Sequence, residues 1–100
     1  MRIVPALAVS LWCLHSEASA QEIPDYDTEA YCERRAGSSA PENRRFNSCV
    51  LVEEYALAEV EDQWPEANET IRAECLEEAN ATESYVVLAS CLMHRVRQRR

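Results

Sequence analysis

Residues 32–49, CERRAGSSAPENRRFNSC, and residues 75–91, CLEEANATESYVVLASC, decide how this chain folds. In each stretch a cysteine stands five residues before a chain-reversing residue, Gly37 or Asn80, and a second cysteine follows the first by 17 or 16 residues. The flanks echo one another: Cys32-Glu33-Arg34-Arg35-Ala36 against Cys75-Leu76-Glu77-Glu78-Ala79, and Ser48-Cys49-Val50 against Ser90-Cys91-Leu92. Residues equally far from the turn of an antiparallel helix hairpin face each other. The spacing therefore points to Cys32 with Cys49 and Cys75 with Cys91. The crossed pairing, Cys32 with Cys91 and Cys49 with Cys75, stays open, because four cysteines admit three connectivities. Loop entropy separates them weakly, at ~3 kcal/mol for a loop of about 15 residues and modestly more for longer ones.

Helix signals surround these turns. Asp27 can cap a helix over 28–36 by accepting from free amides of its first turn, and Gly37-Ser38-Ser39 ends it. Ser39-Ala40-Pro41-Glu42 has capping-box spacing with proline in the first turn, which predicts the start of a second helix there. Along it Phe46, Cys49, Val50, Leu57, Val60 and Trp64 fall on one face, and Glu53, Glu54, Glu59, Glu61 and Asp62 on the others. Trp64-Pro65 breaks the helix, since a residue before proline is pushed out of helical geometry. Pro65 can then open a third helix, with Ala67, Ile71, Cys75 and Ala79 recurring every four residues. Asn80-Ala81-Thr82-Glu83 is the next break, with Asn80 or Thr82 as the following cap. The fourth helix turns Tyr85, Leu88, Cys91, Leu92 and Val96 inward and ends in Arg95, Arg97, Arg99 and Arg100, cations that suit a helix C-terminus. The expected fold is all-α: two disulfide-stapled antiparallel helix hairpins, spanning about 27–64 and 65–99, packed as one small four-helix domain over 21–100.

The first 20 residues read differently. Arg2, an apolar run from Ile3 to Leu14 and the small-x-small triplet Ala18-Ser19-Ala20 form the pattern of a secretory signal peptide cleaved near Ala20. The run is shorter than the roughly 20 apolar residues that cross a bilayer. Cys13 follows Trp12 rather than the small residue that lipid attachment wants, so it is assigned to the leader. Cleavage leaves Cys32, Cys49, Cys75 and Cys91, an even number bound for an oxidising compartment, periplasmic or extracellular. The 80 remaining residues are too few for a large core, so covalent staples are expected.

Charge narrows the function. Ten basic residues, all arginine, stand against 18 acidic ones, a net of −8. Such a surface repels phosphate backbones and anionic lipid, so neither nucleic-acid binding nor membrane insertion of the mature chain is expected. From Glu53 to Glu83 there are 11 acids and one arginine, Arg72, and the six residues from Arg95 to Arg100 carry +4. The acidic positions Glu53, Glu54, Glu59, Glu61, Asp62, Glu77 and Glu78 are the candidate partner-binding residues, able to steer a basic protein. The bland alternative is a solvated face that the arginine tail folds back upon. No catalytic residue is assigned: His94 is the one histidine of the mature chain and sits beside Arg95, without a recognisable partner to hold it as a base. Cys91-x-x-His94 is a weak metal signal, because the close Cys-x-x-Cys spacing of structural zinc sites is missing. Neither a metal nor a cofactor is expected, and the haem signature Cys-x-x-Cys-His is absent.

The pairs Tyr31-Cys32, Ser48-Cys49 and Glu74-Cys75, with the stretch from Ser84-Tyr85 to Ser90-Cys91, give the chain a resemblance to small bacterial exported four-cysteine helical proteins of unassigned function. That resemblance implies export and helical pairing. The segment from Cys75 to Arg100 is more weakly similar to bacterial lysozyme-inhibitor proteins, without the glycine-rich stretch that usually precedes their last cysteine. The function expected is therefore a non-enzymatic exported protein that binds another protein, as an envelope accessory or an inhibitor of a basic secreted hydrolase. It would act as a monomer or weak dimer. The alternative is an acid-stress periplasmic chaperone.

Overall fold

Asp27 and Gly37 bracket the first helix, α1 (Thr28–Ala36), as the sequence predicts. The Asp27 carboxylate accepts from the Ala30 amide at 3.0 Å. Gly37 closes the helix in the left-handed region, φ 90°, where its amide reaches the Glu33 carbonyl at 2.8 Å. A side chain would be strained in that conformation, which is why glycine stands there. The computed structural model describes residues 22–99, so the proposed signal peptide at 1–20 and the final Arg100 lie outside the described residues.

Three further helices follow: α2 (Arg44–Gln63), α3 (Glu69–Asn80) and α4 (Tyr85–Arg99), with a 3₁₀ turn at Trp64–Glu66 between α2 and α3. Their starts differ from the sequence expectation in a consistent way. The second helix is capped by Asn43 and not by Ser39. Asn43 accepts from the Phe46 amide at 3.1 Å while its own amide group donates to the Ala36 carbonyl at 3.3 Å and to the Ser38 carbonyl at 3.3 Å. One side chain thus ties the end of α1 to the start of α2, which a serine hydroxyl at position 39 cannot do. Pro65 lies in the 3₁₀ turn, and α3 starts later, where Asn68 accepts from the Ile71 amide at 2.8 Å. Arg72 seals that junction by donating to the Trp64 carbonyl at 3.1 and 2.8 Å, with its guanidinium 5.2 Å from the Trp64 ring centre. Neither Asn80 nor Thr82 caps α4: Glu83 takes a positive φ of 58°, and Ser84 becomes the capping residue.

Both disulfides close their own hairpins, Cys32–Cys49 with Cα atoms 5.6 Å apart and Cys75–Cys91 with Cα atoms 5.5 Å apart. The crossed alternative is thereby excluded. The hairpins meet through α2 and α4, so the helices follow one another across the molecule as α1, α2, α4, α3. The core runs through Ala56, Val60 and Trp64 on α2, Ile71, Cys75 and Ala79 on α3, and Tyr85, Leu88, Cys91, Leu92 and Val96 on α4. Every inward position expected on α3 and α4 is buried. On α2 only the second half is covered, because α4 begins level with Glu53. Phe46, Cys49 and Val50, expected inside, are therefore half-buried, and Leu57, expected inside as well, is half-buried too. Full burial of Leu88 and Leu92 contributes ~1.5–3 kcal/mol each.

α1 has nine residues, and its one buried side chain, Cys32, lies outside the main core cluster. A helix that short is marginal by itself, so it depends on the sulfur bridge at the fully buried Cys32 and on the Asn43 turn. Replacing Cys32 and Cys49 together by alanine is expected to release α1, with faster tryptic cleavage at Arg34 and Arg35, while the α2–α3–α4 core still melts cooperatively. Replacing Cys75 and Cys91 is expected to lower the stability of that core itself, by roughly 3 kcal/mol. Chemical denaturation and limited proteolysis of the two variants distinguish these outcomes.

Candidate functional site

The most constrained polar cluster lies where α4 starts against the middle of α2. Glu53, expected on a solvent face, is 2% exposed. Its carboxylate accepts the Ser84 hydroxyl at 2.7 Å and the Tyr85 amide at 2.6 Å. The Ser84 oxygen in turn accepts from the Val86 and Val87 amides at 3.1 and 3.3 Å. The first three amides of α4, which a helix leaves without internal partners, are all satisfied. An anion at a helix N-terminus is also favoured by the helix dipole, and among the described residues Glu53 forms no ion pair.

Tyr85 carries the same junction one step further. Its hydroxyl donates to the Pro24 carbonyl at 2.8 Å and accepts from the Tyr26 amide at 2.8 Å. The Tyr26 hydroxyl donates to the Asn80 side-chain oxygen, and the two tyrosine rings lie 4.8 Å apart. The extended segment before α1 is thus strapped across the α3–α4 turn. Burial, helped by Tyr85 and then Glu83, pushes the Tyr26 hydroxyl up to about 12. Burial also raises Tyr85 above the ordinary tyrosine value.

The other acidic candidates remain on the surface: Glu54, Glu59, Glu61 and Asp62 on α2, and Glu77 and Glu78 on α3. They do not form one patch, because α4 lies between those two helices. What joins the α2 acids is apolar. Leu51, Val52 and Tyr55 are 51, 52 and 69% exposed, and they are the large hydrophobic side chains left outside among the described residues. Tyr55 is one helical turn from Leu51, and Asp62 and Glu59 continue that outward side over the next two turns, with Val52 flanking it on one edge and Glu54 and Glu61 on the other. On α3, Glu74 forms an ion pair with Arg95, so one member of the arginine tail does turn back on an acidic helix. Cys91 is bonded to Cys75, so its sulfur is not available to partner His94, which is exposed.

A different charge lies at the α1–α2 turn. A cleft of about 660 Å³ opens there, its lining including Tyr31, Arg35, Arg44, Arg45, Val52, Glu53 and Val86. The Arg35 guanidinium carbon sits 5.5 Å from the centre of the Tyr31 ring. Arg44 and Arg45 occupy the first turn of α2, and Glu61 and Asp62 its last, the reverse of what the dipole of α2 favours. Comparison of the chain with protein-family models, curated proteins and solved structures yields no match.

Two outcomes test this geometry. Glu53→Ala leaves the Ser84 hydroxyl and the Tyr85 amide buried without an acceptor, at ~1–3 kcal/mol per group, whereas Glu53→Gln keeps an acceptor oxygen and is expected to lose less. Thermal unfolding followed by circular dichroism should therefore rank wild type above Gln and Gln above Ala, with ~4–8 °C lost per kcal/mol in a domain of this size. Because folding holds Tyr26 neutral, its contribution is complete below pH 10 and is lost as pH rises through about 12. The tyrosinate absorbance of wild type minus that of Tyr26→Phe should rise near pH 12, and stability should fall from about pH 10 to about 12.

Proposed function

We propose that the chain is a non-enzymatic exported protein, periplasmic or secreted, that binds a basic protein partner through the outward face of α2, as an envelope accessory protein or an inhibitor of a basic secreted hydrolase. The leader-like first 20 residues and the two disulfides support export, since such bonds persist in oxidising compartments. The observation that carries the binding reading is the exposure of Leu51, Val52 and Tyr55 on a face shared with acids. An apolar centre with a charged rim is the anatomy of a protein–protein contact, and exposed tyrosine is a frequent anchor of binding energy. The acids draw a cationic surface in and set its orientation. No helix among the described residues is long and apolar enough to cross a membrane.

A basic secreted lysozyme is the first probe. Inhibition at low ionic strength that fades with added salt, with Tyr55→Ala weakening the complex about tenfold or more, is the expected result. If an excess of the protein leaves lysozyme unaffected, the inhibitor form is abandoned, and affinity capture from the host envelope decides the rest. There, a defined partner retained by wild type and lost with Tyr55→Ala supports binding through α2. Suppression of aggregation of unrelated proteins, seen only after acidification, would point to a chaperone instead.

A further inference from the structure

The cleft between α1 and α2 adjoins the face just described, sharing Val52 at its border, and is of opposite sign. Residues 34–45 contain four arginines and one glutamate, Glu42, a net of +3 in a chain whose net charge is −8. The fold concentrates this charge: the turn pinned by Asn43 brings Arg35 at the end of α1 beside Arg44 and Arg45 at the start of α2. Among the described residues none of these three guanidiniums is in an ion pair. The single carboxylate at the cleft, Glu53, already accepts from the Ser84 hydroxyl and the Tyr85 amide. The positive groups are therefore left for something outside the chain.

We propose that this cleft binds a small amphiphilic anion, one carboxylate or phosphate head on an apolar body. Guanidinium groups match the planar oxygens of both heads, and several can share one. Tyr31, Val52 and Val86 supply apolar walls for the body, and the volume of about 660 Å³ falls in the range of small-molecule sites. Arg35, placed over the Tyr31 ring, loses less freedom on binding than an unsupported arginine would. Arg44 and Arg45 gain twice from an anion, because it offsets both their mutual repulsion and their conflict with the α2 dipole. Charges that contradict a local preference are expected where a site needs them. The same chemistry could reside in a lipid headgroup, yet the molecule as a whole repels an anionic bilayer. Screening over about 8 Å at physiological salt confines the attraction to a ligand that enters the cluster itself. A soluble amphiphile is the occupant that satisfies both conditions.

Calorimetric titration of the full chain tests this with dodecanoate and dodecyl phosphate, held below their micelle concentrations, beside inorganic phosphate and neutral dodecanol. Both amphiphiles should bind saturably at one site, more tightly than inorganic phosphate or dodecanol. The triple variant Arg35→Gln, Arg44→Gln, Arg45→Gln should bind them weaker by about tenfold or more. These side chains are exposed and lie outside the core, so the far-ultraviolet spectrum of the variant should match wild type. Tyr31→Ala should weaken the amphiphiles and leave the affinity for inorganic phosphate unchanged. Equal affinity of wild type and the triple variant overturns the proposal. So does absence of saturable binding of either amphiphile, whether or not the protein then sediments with phosphatidylglycerol vesicles.

Discussion

A carboxylate on one helix finishes the start of another. Glu53 reaches from α2 to the Ser84 hydroxyl and the Tyr85 amide, and without it α4 would begin there with both groups buried and unpaired. Since α4 lies between α2 and α3, this one contact sets the register of the whole row of helices. It fixes which part of α2 is covered, from Glu53 through Val60 to Trp64. It also places Tyr85 so that its hydroxyl can hold the backbone of Pro24 and Tyr26, which positions the approach to α1. A buried ionised group is costly unless its hydrogen-bonding capacity is met. Here the same donors need it, so the requirement is mutual.

What the register leaves uncovered are the surfaces on which the binding proposals rest. Because α4 begins level with Glu53, the first half of α2 keeps α1 as its neighbour and turns other faces outward. Leu51 and Tyr55 come out on a side with acids, while Arg44 and Arg45 meet Arg35 across the turn. One helix of 20 residues thereby presents a cationic cleft at its start and an anionic face with an apolar centre toward its end. Neither feature serves the core. Both are costs that a chain optimised for stability alone would avoid, which is the physical ground on which the two binding proposals rest.

Much of the fold could be read from local pattern. Asp27 and Gly37 act within one turn of their own helix, and the buried series Ala67, Ile71, Cys75, Ala79 needs no knowledge of the neighbour it meets. The cysteine spacing encodes each hairpin separately, so the pairing followed from geometry near the turns. The misplaced elements are those decided by distant partners. Asn43 prevails over Ser39 because it can also reach the carbonyls of Ala36 and Ser38, and Ser84 prevails over Thr82 because Glu53, 31 residues away, receives its hydroxyl. The burial of Glu53 did leave a trace: positions 53, 56, 60 and 64 repeat at steps of three and four, and a glutamate in that series is a charge in a core-facing row. Arg34, Arg35, Arg44 and Arg45 were equally visible as residues, but only the folded turn shows that three of them line one cleft.

Amide hydrogen exchange at Tyr85 tests the central claim most directly. The first amides of a helix ordinarily exchange fast, for lack of an internal acceptor. If Glu53 caps α4 across the helix interface, the Tyr85 amide should exchange as slowly as those of Leu88 and Leu92 in the core. Exchange at the rate of an exposed helix start, in a protein whose Leu92 amide is still protected, would contradict the account.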